Sequence, residues 1–454
     1  MNKIWDQEMI EKYNYSGPRY TSYPTALEFK ESEFDVVLEK ASQCYPDHPL
    51  SIYVHIPFCH KLCYYCACSK LVTQNQNKAD IYLDSLEKEI ILRGAAFKSR
   101  TVTQLHWGGG TPTFLTPQQR KRLVMLLREN FNFSPDIEMS IEVDPRSLEV
   151  EELPELRALG FNRMSLGVQD FNSCVQKAIN REQSMQQIKD LLQAAKDLEF
   201  TSTNLDLIYG LPLQNVDNFA YTLEQAIALD AARLSVFNYA HLPQMFPSQK
   251  KLNESDFPMA ADKLAMLEKT ITMLTDAGYE FIGMDHFAKP DDELAIAQKN
   301  GVLHRNFQGY TTHAECDLIG LGVTSISMIG HAYIQNKKNL KEYEDAVNAS
   351  GSALWKGVEL NVDDLIRRKI IKDLMCNFTL DIKAIENSFN IDFFDYFAED
   401  MQLLQTFIDD HLVDIKQNLI VVAPQGRMLI RNICMCFDFY LRQRNRQRQF
   451  SRII

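Results

Sequence analysis

Four cysteines fall within the ten residues Cys59-His60-Lys61-Leu62-Cys63-Tyr64-Tyr65-Cys66-Ala67-Cys68. The first three are spaced by four and three residues and follow an apolar run, Leu50 to Ile56, that predicts a buried strand. A loop of that length can wrap a compact inorganic centre. Thiolates are soft ligands suited to iron–sulfur clusters or to zinc. Three of them satisfy three irons of a four-iron cubane and leave the fourth open to another ligand. The competing reading is a structural zinc site made from all four cysteines, or from three with His55 or His60. Such sites pair two ligand knuckles from separate stretches of chain. The other close pair here, Cys434 and Cys436, sits on an expected helix and reads as two small core residues. Cys44, Cys174, Cys316 and Cys376 are isolated.

Other groups with chemical potential stand where predicted strands end: Gly108 to Thr111, Glu142 and Asp144, Gln169 and Asp170, Asp206, and Tyr239 to His241. The strands are expected over Leu50 to Ile56, Gln104 to Trp107, Glu138 to Val143, Arg163 to Val168, Thr203 to Ile208, Arg233 to Asn238 and Tyr279 to Met284. Helical patterns separate them, among them Lys78 to Arg93, Pro117 to Phe131, Ser184 to Leu198 and Ala260 to Ala277. Strands alternating with helices predict an α/β fold around a parallel sheet. Functional groups gathered at the carboxyl ends of strands favour a full or partial (β/α) barrel over an open sheet. Three regions are expected: an N-terminal arm and lid over residues 1–43, the β/α barrel over 44–350, and a mostly α C-terminal domain over 351–454.

In that last region helices are expected over Val362 to Cys376, Ile382 to Phe389 and Phe394 to Phe407, with a strand pair around Leu412 to Val422. Gly426 to Asn445 predicts one helix ending in a basic tail of Arg442, Arg444, Arg446 and Arg448, most simply a solvated face.

The chain has 454 residues, of which 45% are hydrophobic and 24% charged, as expected of an ordinary folded protein. Its formal net charge of -12 argues against a general nucleic-acid surface. No signal-peptide pattern and no membrane-length apolar run is present, so a cytoplasmic protein is expected, off the membrane. Ten cysteines in that setting are not a disulfide framework.

The Cys-x3-Cys-x2-Cys spacing, with Tyr65 before the third cysteine, resembles the radical S-adenosylmethionine superfamily. The resemblance extends to Tyr53-Val54-His55-Ile56-Pro57-Phe58-Cys59, Trp107-Gly108-Gly109-Gly110-Thr111-Pro112-Thr113, Glu142-Val143-Asp144-Pro145, Gly167-Val168-Gln169-Asp170-Phe171 and Asp206-Leu207-Ile208-Tyr209-Gly210-Leu211-Pro212. With the end segments, Tyr15 to Ala26 and Arg431 to Phe437, these are similar to the oxygen-independent coproporphyrinogen III oxidases (dehydrogenases) along essentially the whole chain. A related haem chaperone resembles a shortened version without the aromatic arm, and has an aromatic residue at the position of Cys68. Ala67 departs from the family, which often has Gly there.

The resemblance implies that Cys59, Cys63 and Cys66 hold a 4Fe–4S cluster, with Cys68 present but not a ligand. It implies two S-adenosylmethionine molecules, contacted by Tyr53, Tyr65, Gly109, Gly110, Thr111, Glu142, Gln169, Arg181, Asp206, Ala240 and Ile326, with Tyr53 and Glu142 as catalytic groups. Without it, Arg181 would be taken for a surface charge, and Ala240 and Ile326 for core residues. The implied substrate is coproporphyrinogen III, a tetracarboxylate, for which Arg19, His286, His304 and Arg305 are candidate contacts. The four tyrosines between Tyr13 and Tyr23 suggest an aromatic lid. The implied reaction removes a β-hydrogen from each of two propionates by a 5'-deoxyadenosyl radical, then releases carbon dioxide and one electron to leave vinyl groups, giving protoporphyrinogen IX. Its expected partner is a reducing electron-transfer protein such as a flavodoxin, and a monomer is expected. The alternatives are the haem-binding chaperone and a radical S-adenosylmethionine methyltransferase on the same barrel.

Overall fold

A computed structural model describes residues 4–314 and 316–444. The chain divides into two compact units: a sheet unit of Phe29–Thr270 with Glu315–Glu359, and a second unit of Met1–Glu28, Ile271–Ala314 and Leu360–Ile454.

The sheet unit is built on six parallel strands, β1 (Leu50–Ile56), β2 (Thr101–Gly109), β3 (Asn132–Val143), β4 (Arg163–Gln169), β5 (Ser202–Tyr209) and β6 (Arg233–Asn238), adjacent in chain order. β1 is buried at every position but Tyr53, as a strand covered on both faces requires. The intervening helices include α1 (Asn77–Phe97), α2 (Pro117–Asn130), α3 (Leu153–Leu159), α4 (Met185–Asp197) and α5 (Val216–Ala228). Their starts follow from side chains. Thr116 and Gln119 form a reciprocal capping box ahead of Pro117, and Ser184 and Asn215 cap α4 and α5. α3 ends at Gly160 with φ 110°, a conformation that favours glycine.

Tyr279 to Met284 does not supply a seventh parallel strand. Glu280–Gly283 turns back on His286–Ala288 as an antiparallel hairpin in the second unit, with Gly283 and Met284 at φ 141° and 54°. The sheet grows on the other side of β1. There β7 (Asp317–Leu321) runs parallel to β1, and β8 (Ile326–Ile329), β9 (Ala332–Asn336) and β10 (Leu354–Glu359) follow antiparallel, with Lys30–Glu31 at the edge. The glycine inside β7, Gly320, hides it from pattern reading. A Cβ on Gly320 would stand 2.6 Å from the Ile326 carbonyl oxygen, so the β7–β8 turn-back needs glycine there. Lys30–Glu31 and β6 do not pair with each other, so the expected (β/α) barrel is partial and not closed.

In the second unit the expected Phe394 to Phe407 helix is two, Phe393–Tyr396 and Ala398–Asp409, divided at Phe397. Thr379–Asp381 joins the expected C-terminal strand pair to make three strands. The single helix expected from Gly426 is also broken. Ile430–Met435 stops, and Asp438 accepts from the Leu441 amide at 2.9 Å to begin Phe439–Arg444. Arg442 is no free solvated charge, since it pairs with the buried Asp400 at 2.8 Å. Arg446, Arg448 and the side chain of Arg444 lie outside what the structure describes. Cys434 and Cys436 are buried, as small core residues.

The aromatic arm packs inside this unit. Tyr20 donates to Asp438 at 2.9 Å, Tyr13 donates to Asp410, and Asn432 Nδ2 donates to the Tyr13 carbonyl at 2.8 Å. Arg431 donates to the carbonyls of Pro18, at 2.9 Å, and Gly17.

Candidate active site

β1 delivers the chain to the cysteine loop, which is tied down in the first place by its carbonyls and amides. Leu71 N donates to Pro57 O at 2.6 Å and Thr73 N to Cys59 O at 3.0 Å, closing the loop behind Cys68. Tyr64 N donates to Ile179 O and Asn180 Nδ2 to Leu62 O, both at the end of the short helix Ser173–Ala178 that follows β4. Beyond β6, Ser248 Oγ donates to Cys66 O at 2.9 Å and Gln249 Nε2 to Tyr65 O at 3.0 Å. Tyr64 and Tyr65 also pack on the apolar cluster of Val175, Ile179, Leu211 and Tyr239.

Three donors point at the thiols themselves. Thr111 Oγ1 lies 3.4 Å from Cys59 Sγ, and Arg146 Nη2 and Arg181 Nη1 lie 3.2 and 3.3 Å from Cys63 Sγ. Burial pushes the Cys59 thiol up to about 11, whereas hydrogen bonding from Cys68 and the charge of Lys70 pull Cys66 down. A Cβ on Gly110 would come within 2.8 Å of Phe58 O and 3.1 Å of Cys59 Sγ, so this glycine is what lets the β2 end approach the loop. Three thiols on one pinned loop, with N–H and O–H donors aimed at sulfur, fit the demands of a thiolate-held cluster.

The strand ends beside the loop carry the remaining polar groups. Glu142 closes β3. Its Oε2 accepts from the Gly109 amide at 3.1 Å and its Oε1 stands 3.5 Å from His106 Nε2, while 46% of the side chain stays exposed. Burial would raise its carboxyl, but His106, the Gly109 amide and His55 together outweigh that and hold it below its ordinary value. Tyr53 stacks on His106 with centroids 5.8 Å apart, and its hydroxyl meets His55 Nδ1 at 3.0 Å. His55 Nε2 faces the Ser69 carbonyl at 3.0 Å, and a carbonyl only accepts, so the imidazole proton sits on Nε2 and Tyr53 donates to Nδ1. Burial lowers His55, which keeps this ring neutral.

Arg181, which sequence alone gives as a surface charge, is buried. It pairs with Asp144 at 3.1 Å and also donates to Gly167 O. Asp144 binds Arg146 as well, at 2.7 Å, and although burial opposes it, the two guanidiniums hold its carboxyl at about 2. Gln169, at the end of β4, is buried with φ 70°, an uncommon conformation for a non-glycine residue. Asp206 accepts from Ser165 Oγ at 2.9 Å and Asn204 Nδ2 at 2.8 Å, yet burial raises it to about 6. Ala240 and Ile326 are half-buried rather than core residues, and Ala240 O accepts from Gln249. Tyr65, Thr111, Tyr53 and the residues above thus all belong to the sheet unit.

Arg19, His286, His304 and Arg305 belong to the second unit. There Arg19 pairs with Asp285 at 3.0 Å, Arg305 donates to Arg19 O at 2.8 Å, and His286 meets the edge of Tyr310. Burial, then Lys372 and Lys369, lowers His304 to about 3, so it offers hydrogen bonds and not positive charge at neutral pH.

Sequence reasoning passed over Arg146, His106 and Gln249. The first two have a local signal: Arg146 directly follows the Asp144-Pro145 strand end, and His106 precedes the glycine run. Gln249 sits in a segment without motif, and only the fold brings it to Tyr65.

The radical SAM superfamily profile matches residues 53–226, and the HemN C-terminal domain profile matches residues 360–429. The oxygen-independent coproporphyrinogen III oxidase of Salmonella typhimurium is 60% identical over 450 residues, covering 99% of this chain and 98% of that protein. That of Pseudomonas aeruginosa is 49% identical over 455 residues, covering 99% of each. The solved structure of the Escherichia coli coproporphyrinogen III oxidase, described as a radical SAM enzyme, superposes with a TM-score of 0.94 at 56% identity, covering 97% of this chain and 100% of that one. Among the described residues no helix is long and apolar enough to cross a membrane. With relatives this similar along its full length, and with the thiol loop seated at the carboxyl ends of a parallel sheet, the chain belongs to the oxygen-independent coproporphyrinogen III oxidases of the radical SAM superfamily.

Proposed function

We propose that this chain converts two propionate side chains of coproporphyrinogen III to vinyl groups, with loss of two carbon dioxide molecules, to give protoporphyrinogen IX. The observation that carries the reading is the pinned thiol loop of Cys59, Cys63 and Cys66 beside the β1, β2 and β3 ends. These three residues would hold a 4Fe–4S cluster, with Cys68 left out of its coordination. When bound, the reduced cluster and S-adenosylmethionine supply the 5'-deoxyadenosyl radical that removes a propionate β-hydrogen.

The chain's own residues bind and orient. Gly109, Gly110 and Thr111 let backbone come close to the cofactor. Glu142, ionised at neutral pH and partly exposed, accepts hydrogen bonds from an ammonium group. Arg181 presents fixed positive charge beside Cys63, and Gln169, Asp206, Tyr65, Ala240 and Ile326 complete the contacts. Tyr53 is held by His55 and His106, so its ring has one position against the cofactor. Two S-adenosylmethionine molecules fit two propionate conversions. Arg19, His286, His304 and Arg305 are the contacts proposed for substrate carboxylates. The chain acts as a cytoplasmic monomer reduced by a protein such as a flavodoxin.

The test is an anaerobic assay of reconstituted chain, reductant, S-adenosylmethionine and coproporphyrinogen III, with products read by mass. Loss of two carbon dioxide units together with 5'-deoxyadenosine is expected. Deoxyadenosine without decarboxylation would overturn the substrate and keep the radical chemistry.

A further inference from the structure

Cys63 differs from its two neighbours in what faces its sulfur. Two guanidiniums, Arg146 and Arg181, each bring an N–H within 3.3 Å of it. Arg181 already has a part in the proposed cofactor contacts. Arg146 has none, and its geometry is that of a fixed fork rather than a mobile surface charge.

Its side chain is 11% exposed. Nε and Nη2 grip the Asp144 carboxylate, with Nη2 at 2.7 Å, and Nη1 donates to Asn180 O at 3.2 Å. The backbone is fixed too, because Asp144 caps the short turn Pro145–Ser147 by accepting from the Arg146 amide at 3.1 Å. All three nitrogens of the guanidinium therefore have a partner, and one of those partners is sulfur. Asp144 cancels one of the two positive charges, which leaves a net positive charge against Cys63.

We propose that Arg146 is a positioning residue that sets the ease of reduction of the bound cluster. Reduction adds negative charge to a thiolate-held cluster. A cation and an N–H donor at sulfur stabilise the reduced state more than the oxidised one, which moves the potential upward. The charge matters at this range because the side chains of Arg146, Asp144 and Cys63 are largely buried. The proposal rests on Cys63 being a cluster ligand, as read above.

The test is an anaerobic redox titration of the reconstituted full-length chain, followed by electron paramagnetic resonance, with iron content measured in parallel. Wild type comes first: absence of a cubane signal there would defeat the cluster reading itself and not the tuning. Arg146→Gln, with iron retained, is expected to titrate at a more negative potential than wild type. Arg146→Lys, which keeps charge without the fork, is expected in between. An unchanged potential in Arg146→Gln overturns the proposal. If that variant holds no iron, the lysine variant decides: a potential equal to wild type overturns the proposal, and a lower one supports it. Loss of iron from both also overturns it, since the residue would then hold the loop rather than tune what the loop carries.

Discussion

The amide of Gly109 donates to the Glu142 carboxylate at 3.1 Å, so the end of β2 is fastened to the end of β3. Gly110, one residue on, donates to Ile56 O at 2.8 Å and fastens the same point to β1. Three strand ends meet there, and the cysteine loop leaves from that meeting point.

Gly110→Ala therefore tests how tightly the loop is seated. The added methyl meets backbone of Pro57 and Phe58, which cannot swing aside as a long side chain would. Overpacking of this kind costs about 1–3 kcal/mol. The expected outcome is a lower urea midpoint in the unloaded chain and reduced iron after reconstitution. Normal iron and an unchanged midpoint would show that the loop can retreat.

The ligand assignment makes four cysteines unequal. Cys59→Ala, Cys63→Ala or Cys66→Ala is expected to abolish bound iron and activity, whereas Cys68→Ala keeps the cluster. Iron analysis and visible absorbance read the difference. Loss of the cluster from the Cys68 variant would mean that the wrong three were chosen.

Asp170 gives a pH signature. It is fully buried, accepts from Gln214 at 2.6 Å, and burial raises its carboxyl to about 6. An unfolded aspartate titrates near 3.9. Between about pH 4 and 6 the folded chain keeps a proton that the unfolded chain has lost, so stability from this group falls as pH rises through that window. Wild type is expected to lose up to about 3 kcal/mol relative to Asp170→Asn between pH 4 and 7. Asp144 works in the opposite sense, its contribution being lost as pH falls from about 4 towards 2. Parallel pH profiles of the two chains that never diverge would contradict the Asp170 shift.

Arg431 is the fastening of the arm. Arg431→Met leaves the Gly17 and Pro18 carbonyls without this donor, at a cost of roughly 1–3 kcal/mol each if they stay buried. Amide hydrogen exchange over residues 13–23 is expected to quicken. Unchanged protection would assign the arm's order to its tyrosines alone.

Where pattern and burial agree, the fold was legible. Leu50 to Ile56 and Arg233 to Asn238 are strands at those limits, and Pro117 and Ser184 mark helix starts to within a residue. The cysteine loop was legible because its chemistry lies in one continuous segment. β7 was not, because glycine at the β7–β8 approach breaks the apolar run that would announce a strand. The long C-terminal helix failed for a local reason, since Asp438 competes as a cap in the middle of a good helical pattern. The donors onto Cys63 come from residues 146 and 181, one after β3 and one after β4, and such convergence is a product of the sheet and not of spacing.

The bonds from Arg431 to Pro18 and Gly17 join residues 413 and 414 positions apart in the chain. At about 5–20 residues per second, a ribosome needs roughly 20–80 s to make the partner after it has made the arm. Throughout that interval the tyrosines between Tyr13 and Tyr23 have no Arg431, Asn432 or Asp438 to dock against. The arm is thus fixed only after residues 431–438 have been made, and until then those side chains are in reach of whatever attends the nascent chain.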